Sequence, residues 1–185
     1  TGALVGADDV FDAALRRVGA VRVQTITQLF ALARALSSHC RPRGNRLAII
    51  TNGGGPGVMA TDRAADLNIP LAQLSAETMD ALNAALPPVW SHGNPVDVIG
   101  DATAARYEAA ASAIMKDDGV DGILTILTPQ AMTAPIEVAQ CIIRIAQTSS
   151  KPLLTCLMGE EQVREARVLF AAAHVPHYRY PESAV

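Results

Sequence analysis

The sequence predicts an α/β fold with a doubly wound parallel sheet, and three observations support that prediction. From Gly44 onward, short apolar runs alternate with longer segments of helical character. The apolar runs are nearly continuous, which is typical of parallel strands buried on both faces. With 185 residues, 50% of them hydrophobic, the chain has enough apolar material for a well-filled core.

The alternation predicts five strands and five helices. The strands are expected at residues 46–51, 71–74, 122–127, 152–157 and 177–180, and the helices at residues 58–67, 76–86, 103–116, 135–148 and 160–173. Ser75 fits a helix N-cap, and Pro135 fits the first turn of a helix. This alternation predicts a flavodoxin-like strand order, 2-1-3-4-5, in which ligands bind beside the carboxyl ends of the strands.

The first 42 residues follow a different pattern. They predict a helix over 8–18, a short strand over 21–23 and an amphipathic helix over 27–38. A segment of this size is too small to bury a core of its own. We therefore expect residues 1–42 to end a preceding domain and to supply a connecting helix, residues 43–185 to form a complete domain, and the chain to be part of a longer polypeptide.

Composition argues against several classes of function. Fifteen basic and eighteen acidic residues give a formal net charge of −3 without blocks of like charge, so nucleic acid is not an expected partner. No apolar run approaches the ~20 residues that cross a bilayer, and three cysteines without C-x-x-C spacing are typical of the cytoplasm. The four histidines lack acidic or cysteine partners at ligand spacing, so no metal site is expected.

The glycine-rich segment between the first predicted strand and helix is the strongest functional signal. The residues of interest are Asn52, Gly53, Gly54, Gly55, Gly57 and Val58. A strand that runs through a glycine turn into a helix exposes backbone N–H groups at the positive end of the helix dipole, where a phosphoryl or carboxylate group binds. The segment matches neither a Walker A loop nor a G-x-G-x-x-G fingerprint, which argues against nucleotide binding. The alternative is a tight turn whose glycines only relieve steric strain.

Two further segments are predicted to reach the same rim of the sheet. Residues 128–133 follow the third strand, and the loop over residues 87–101 is long enough to be functional or mobile. The longer loop contains Asn94, Pro95, Val96 and Asp97, for which the residues alone favour a role in turn chemistry. No cysteine is accompanied by a local base and no G-x-S-x-G elbow is present, so no catalytic nucleophile is predicted in this chain.

Taken together, these motifs resemble the NDP-forming acyl-CoA synthetases, the superfamily of succinyl-CoA synthetase and ADP-forming acetyl-CoA synthetase. The resemblance is carried by Thr1-Gly2-Ala3-Leu4-Val5-Gly6, by Val21-Arg22-Val23, by residues 44–57, by Gly93-Asn94-Pro95-Val96-Asp97, and by Asp101-Ala102-Thr103 with Arg106-Tyr107. It covers essentially the whole chain. It implies that residues 1–42 end one succinyl-CoA-ligase-like domain and that residues 43–185 form a second, flavodoxin-like one.

The resemblance also implies a function. In the family, acyl-CoA is interconverted with phosphate and nucleotide through a phosphohistidine on a His-Thr-Gly-Ala loop, and acetyl-CoA is the first product to expect. Residues 52–58 match the turn and helix start that stabilise the phosphoryl group, and Asn94, Pro95, Val96 and Asp97 match the segment that lines the acyl pocket. CoA and ATP or ADP bind to CoA-binding and ATP-grasp domains, which would be the partners of this chain. We therefore expect no cofactor on the chain and no turnover by the chain alone, and a homo-oligomer is left open.

A second resemblance keeps a different class of function open. Bacterial protein-lysine acetyltransferases of the Gcn5-related type carry the same synthetase-like region, often as a regulatory module without catalytic activity. Residues 90–101 resemble that branch as well. The sequence does not separate a ligase domain from a regulatory domain.

Overall fold

A computed structural model describes residues 7–37 and 41–185. Two helices come first, α1 (Asp8–Arg17) and α2 (Ile26–Leu36). The following α/β domain contains β1 (Leu47–Thr51), α3 (Gly54–Asp66), α4 (Ala76–Ala85), β2 (Val96–Asp97), α5 (Ala104–Met115), β3 (Gly122–Leu127), α6 (Pro135–Thr148), β4 (Leu153–Leu157), α7 (Arg164–Ala172), β5 (His177–Tyr178) and α8 (Pro181–Ala184). A single 3-10 turn, Glu161–Val163, precedes α7.

The five strands form one parallel sheet in the order β2-β1-β3-β4-β5. The predicted α/β class and strand order are therefore confirmed. The strand predicted over residues 71–74 is wrong, because only Leu71 bridges β1 before the chain turns away. The second strand of the sheet is instead Val96–Asp97, which pairs with the carboxyl half of β1.

The helix after β1 begins at Gly54, four residues earlier than the predicted start at residue 58. Glycines and Pro56 take helical backbone angles there, and the first N–H groups of a helix need no partner inside it. The strand predicted over residues 21–23 is also wrong, since those residues have no regular structure. A strand needs a neighbour to bond with, and this segment has none among the described residues.

Helices cover both faces of the sheet, and strand residues alternate between the two layers. Ile50 points into the larger apolar cluster, which α4, α5, α6 and α7 share. Its neighbour Ile49 points into a smaller cluster on the opposite face, with Ala60 of α3 and Ala184 of α8. Both isoleucines are fully buried, as the two-residue period of a strand between two layers requires.

The first two helices bury no residue of their own. Thr25 and Gln28 form a capping box that fixes the start of α2. Two hydrogen bonds attach α2 to β5, from Arg34 Nη1 to the carbonyl of His177 at 2.7 Å and from Tyr178 Oη to the carbonyl of Ala31 at 3.0 Å. Within residues 7–37 and 41–185, no helix has the length and apolarity to cross a membrane.

Candidate functional site

The side chain of Asn52 connects the glycine turn to the segment 128–133, which are two of the three segments that the sequence predicts at the rim of the sheet. Its Oδ1 accepts hydrogen bonds from the backbone N–H of Thr128 at 2.8 Å and from Thr128 Oγ1 at 2.9 Å. Its Nδ2 donates to the carbonyl of Thr128 at 2.8 Å and to Thr133 Oγ1 at 3.3 Å. The side chain is 1% exposed, and all of its donor and acceptor capacity is used. Asn52 therefore positions the glycine turn against the loop after β3.

The glycine turn leaves two N–H groups at the start of α3. Thr51 Oγ1 accepts from the N–H of Gly53 at 3.0 Å and donates to its carbonyl at 2.8 Å, which holds the N-cap residue in place. The N–H of Gly57 bonds to the carbonyl of Gly53 at 3.2 Å, and Pro56 has no N–H. The N–H groups of Gly54 and Gly55 remain, and neither has a partner among the described residues.

The glycines of this turn are present for different reasons. A Cβ on Gly57 would lie 3.1 Å from the methyl group of Thr51, and a Cβ on Gly53 would lie 3.1 Å from Thr128 Oγ1. Steric strain thus accounts for these two positions. A Cβ on Gly55 would meet nothing within 4 Å, so packing within this domain does not require a glycine there. Both Gly54 and Gly55 are exposed.

Val58, the last residue of the predicted phosphate site, lies in the second turn of α3. In an α-helix its N–H bonds to the carbonyl four residues earlier, so it is not a free donor. Its side chain is 58% exposed. Among the six residues predicted to bind phosphate, Gly54 and Gly55 have N–H groups without a partner in the part of the chain that the structure describes.

The side chain of Asn94 makes hydrogen bonds to β1 that the backbone of a neighbouring strand would otherwise make. Its Oδ1 accepts from the buried N–H of Ile49 at 2.9 Å, and its Nδ2 donates to the carbonyls of Leu47 at 2.8 Å and Ala72 at 3.0 Å. These bonds span the gap between Leu71, which bridges Leu47, and β2, which pairs with the last two residues of β1. The amide group of Asn94 therefore completes the sheet, and both of its donors are in use.

The other three residues of the predicted acyl pocket differ in what they expose. Pro95 packs beside Gly57, and Val96 is fully buried in β2. Asp97 is partly exposed, with Oδ1 accepting from the N–H of Ile99 at 2.9 Å. The other oxygen, Oδ2, lies 3.7 Å from the position that a Cβ on Gly54 would take. Asp97 is thus the member of the four that places a charged group beside the start of α3.

The backbone next to Asp97 is strained. Ile99 has φ +72°, a value that a β-branched residue rarely adopts. Backbone strain of this kind collects at functional sites, where the surrounding packing holds it. No sequence signal indicated the strain at Ile99, because an isoleucine does not favour a positive φ.

Beneath this rim the hydroxyl of Tyr107 donates to the carbonyl of Ile126 at 2.8 Å, and burial raises the pKa of this hydroxyl well above the ordinary value.

The two cysteines among the described residues are buried. Burial raises the pKa of the Cys141 thiol to about 11 and that of the Cys156 thiol to about 12, so neither is a nucleophile at neutral pH. Among residues 7–37 and 41–185, no three His, Cys, Asp or Glu side chains are placed to hold a metal ion. His39 and Cys40 lie outside the described residues.

The fold and the rim define the class of this domain as a flavodoxin-like α/β unit with a glycine-started helix at the carboxyl edge of its sheet. Comparison with protein families matches residues 47–184 to the Ligase-CoA domain and residues 1–36 to the succinyl-CoA ligase like flavodoxin domain. The chain therefore belongs to the Ligase-CoA domain family, within the NDP-forming acyl-CoA synthetase superfamily.

Individual relatives agree with this assignment. Over its full length the chain is 36% identical to acetate–CoA ligase [ADP-forming] I of Archaeoglobus fulgidus and to acetate–CoA ligase [ADP-forming] I subunit alpha of Pyrococcus furiosus. It covers 26% of the first protein and 40% of the second. The apo form of the dinucleotide forming acetyl-coenzyme A synthetase 1 of Ca. Korarchaeum cryptofilum superposes on the whole chain with a TM-score of 0.93 at 30% identity, and the chain covers 41% of it. The chain thus spans between a quarter and two fifths of these relatives.

Proposed function

We propose that the chain is a domain of an ADP-forming acyl-CoA ligase, with acetyl-CoA as the first product to test, and that the start of α3 stabilises a phosphoryl group during acyl-CoA formation. The observation that carries the proposal is that Gly54 and Gly55, at the start of a 13-residue helix, are exposed and that their N–H groups have no partner among residues 7–37 and 41–185. Such a helix end carries about half a positive charge. It lies at the carboxyl edge of the sheet, where α/β domains bind ligands.

The chemistry needed at this position is electrostatic. A phosphoryl group in transfer carries charge on its peripheral oxygens, and fixed N–H dipoles stabilise that charge without reorganising. Asp97 restricts where the anion can lie, because its carboxylate approaches Gly54 and repels a second negative charge. Gly55 faces open space, so the phosphoryl oxygens are expected on its side of the helix axis.

The phosphorylated residue and the cofactors belong to other parts of the proposed enzyme. We propose that the phosphohistidine lies outside residues 1–185. We also propose that CoA and ATP or ADP bind to CoA-binding and ATP-grasp domains of the same complete polypeptide or complex. The ligases named above support this proposal because they are longer than the chain and one of them is an alpha subunit. The expected role of Asn94 in the acyl pocket stays a prediction, and its hydrogen bonds to β1 support a role in positioning Pro95 and β2. No observation favours the regulatory acetyltransferase module, and the cytoplasmic location stays a prediction.

A matched pair of variants tests the phosphoryl role in the complete ligase. Gly54→Pro deletes one N–H at the first helical position, where proline is well accommodated. The preceding Gly53 has φ −149° and ψ 121°, which is the extended conformation that a residue before proline requires. Gly54→Ala keeps the N–H, and its Cβ would make an ordinary contact at 3.7 Å from Asp97.

The expected result is a rate of phosphoenzyme formation reduced about 100-fold or more in Gly54→Pro, since one lost donor of this kind costs about 2.7–4 kcal/mol of transition-state stabilisation. Gly54→Ala should remain within about threefold of the wild type, because the donor is kept. Rapid-quench measurement of phosphoenzyme gives the rate, and circular dichroism checks that both variants are folded. A folded Gly54→Pro enzyme that is phosphorylated at the wild-type rate would refute the proposal.

A further inference from the structure

A basic cavity lies at the opposite edge of the sheet from the glycine turn. It has a volume of about 640 Å³ and is lined by residues that precede β1, β3 and β4 and by the ends of α5 and α6. The length of a five-residue strand, about 16 Å, separates the two edges. Its cationic side chains are Arg41, Arg43, Arg46, Lys116 and Lys151.

The charge of this cavity opposes that of the chain. Two acidic side chains, Asp118 and Asp121, also line it, so five cations against two anions leave a formal charge of +3. The whole chain carries −3. The carboxyl ends of α5 and α6 each add about half a negative charge, and the Asp117 carboxylate beside Arg46 and Lys151 adds one more, so the local excess is about +1. An anion is the ligand that such an excess attracts.

Three of the five cations already have hydrogen-bond partners in the fold. Arg41 donates through Nη2 to the carbonyl of Leu36 at 2.8 Å. Arg46 bonds to Asp121 through Nε at 2.7 Å and through Nη2 at 3.0 Å, and this pairing lowers the pKa of the Asp121 carboxyl to about 2. Lys151 donates through Nζ to the carbonyl of Asp117. Burial lowers the pKa of the Lys151 ammonium, so a bound anion would offset part of its lost hydration.

The side chains of Arg43 and Lys116 have no partner among the described residues. Neither side chain has a hydrogen bond or ion pair with any residue in the described ranges 7–37 and 41–185, and both are exposed. Lys116 follows the last residue of α5, where a cation favours the helix dipole, but that effect explains one cation and not five. A planar guanidinium and an ammonium group facing one cavity are suited to phosphate oxygens.

We propose that this cavity binds a small oligophosphate, a ligand with two or more linked phosphoryl groups, through Arg43 and Lys116. The volume is that of a small-molecule site. Ser150 in its wall carries a hydroxyl group that can donate to a phosphate oxygen, whereas the hydroxyl of Thr148 donates to the carbonyls of Arg144 and Ile145. The site is separate from the glycine turn, so this inference does not depend on the proposed function.

Calorimetric titration of the 185-residue chain with inorganic pyrophosphate at low ionic strength tests the proposal. The wild type is compared with the double variant Arg43→Gln/Lys116→Gln. The matched control is Arg17→Gln/Arg63→Gln, which removes the same charge from side chains that have no ion pair with described residues and do not line the cavity. Gly54→Pro is included as a control for anion binding at the glycine turn.

The expected result is that Arg43→Gln/Lys116→Gln loses pyrophosphate binding at the cavity by about 10-fold or more, while Arg17→Gln/Arg63→Gln binds like the wild type. Any separate binding at the glycine turn is lost in Gly54→Pro, and the binding event that depends on Arg43 and Lys116 should persist in that variant. Inorganic phosphate should bind the wild type at least about 10-fold more weakly than pyrophosphate, because it engages fewer of the cations. Three results overturn the proposal: no pyrophosphate binding by the wild type, an equal loss in both double variants, or a loss confined to Gly54→Pro. Equal affinity for phosphate and pyrophosphate overturns the oligophosphate assignment.

Discussion

Replacing Asn94 by alanine should destabilise the domain far more than the loss of a partly exposed polar residue usually does. The amide bonds to the N–H of Ile49 and to the carbonyls of Leu47 and Ala72. The carbonyl of Leu47 keeps a second bond, from the N–H of Ala72 at 2.8 Å. The variant therefore leaves two unsatisfied groups, the N–H of Ile49, which is fully buried, and the carbonyl of Ala72, which is 3% exposed.

Each unsatisfied buried group costs about 1–3 kcal/mol, so the expected loss in the free energy of unfolding is about 4 kcal/mol, within a range of about 2–6. A domain of this size has about 5–15 kcal/mol in total, so Asn94→Ala is expected to be close to the limit of stability. Asn94→Asp retains an acceptor for Ile49 but loses both donors, and it should be destabilised as well. Urea unfolding followed by circular dichroism, with linear extrapolation to water, measures all three proteins.

The control for this experiment is Asn45→Ala. Asn45 is exposed and makes no side-chain hydrogen bond with the described residues, so its replacement should change stability by less than about 0.5 kcal/mol. The comparison corrects for the general effect of removing an asparagine near β1. If Asn94→Ala lost less than about 1 kcal/mol relative to this control, the conclusion that its side chain completes the sheet would be incorrect.

Two further predictions concern the glycine turn and the thiols. Gly57→Ala should lower the free energy of unfolding by about 1–3 kcal/mol, because its Cβ would lie 3.1 Å from a buried methyl group. Gly55→Ala should leave that free energy unchanged or raise it by up to about 1 kcal/mol, because its Cβ would meet nothing within 4 Å. Equal effects of the two variants in urea unfolding would contradict the packing argument. In a Cys40→Ser background, Cys141 and Cys156 should resist a thiol reagent at pH 8 until urea is added, because burial raises their pKa values to about 11 and about 12 and disfavours the thiolate. Because the pKa values are raised in the folded state, the stability that the neutral thiols contribute is fully present below pH 9.0, their ordinary pKa, and is lost as pH rises through the folded values. Fast labelling of the folded chain would contradict the prediction, since it would show that the thiols are accessible.

Much of the sheet could be predicted from the sequence because its central strands are continuous apolar runs. β1, β3 and β4 are buried on both faces, and their mainly apolar runs of five or six residues between turn signals favour strands because they are too short for helices. β2 could not be predicted in this way, since it has two residues and follows a proline. Its place in the sheet depends on the side chain of Asn94, and side-chain bonds to a distant strand have no periodicity to detect.

The candidate site was predictable in part for the same reason. The glycine turn is contiguous in sequence, so its position before a helix could be inferred directly. The bonds between Asn52 and Thr128 join residues that are 76 positions apart, and the approach of Asp97 to Gly54 joins two separate loops. The basic cavity had no sequence signal at all, because its cations come from segments between residues 41 and 151 and are mixed with acidic residues.

The edges of the sheet bear on whether strands of two chains can pair. One edge is divided between Leu71, the amide of Asn94 and the two residues of β2, and the other edge is the two-residue β5. A second chain can extend a sheet only where a run of unpaired N–H and C=O groups lies open, as in amyloid and strand-swapped dimers. Within residues 7–37 and 41–185, neither edge offers such a run, because β2 and β5 have two residues each. The longer apolar strands of the core lie inside the sheet, where a second chain cannot pair with them.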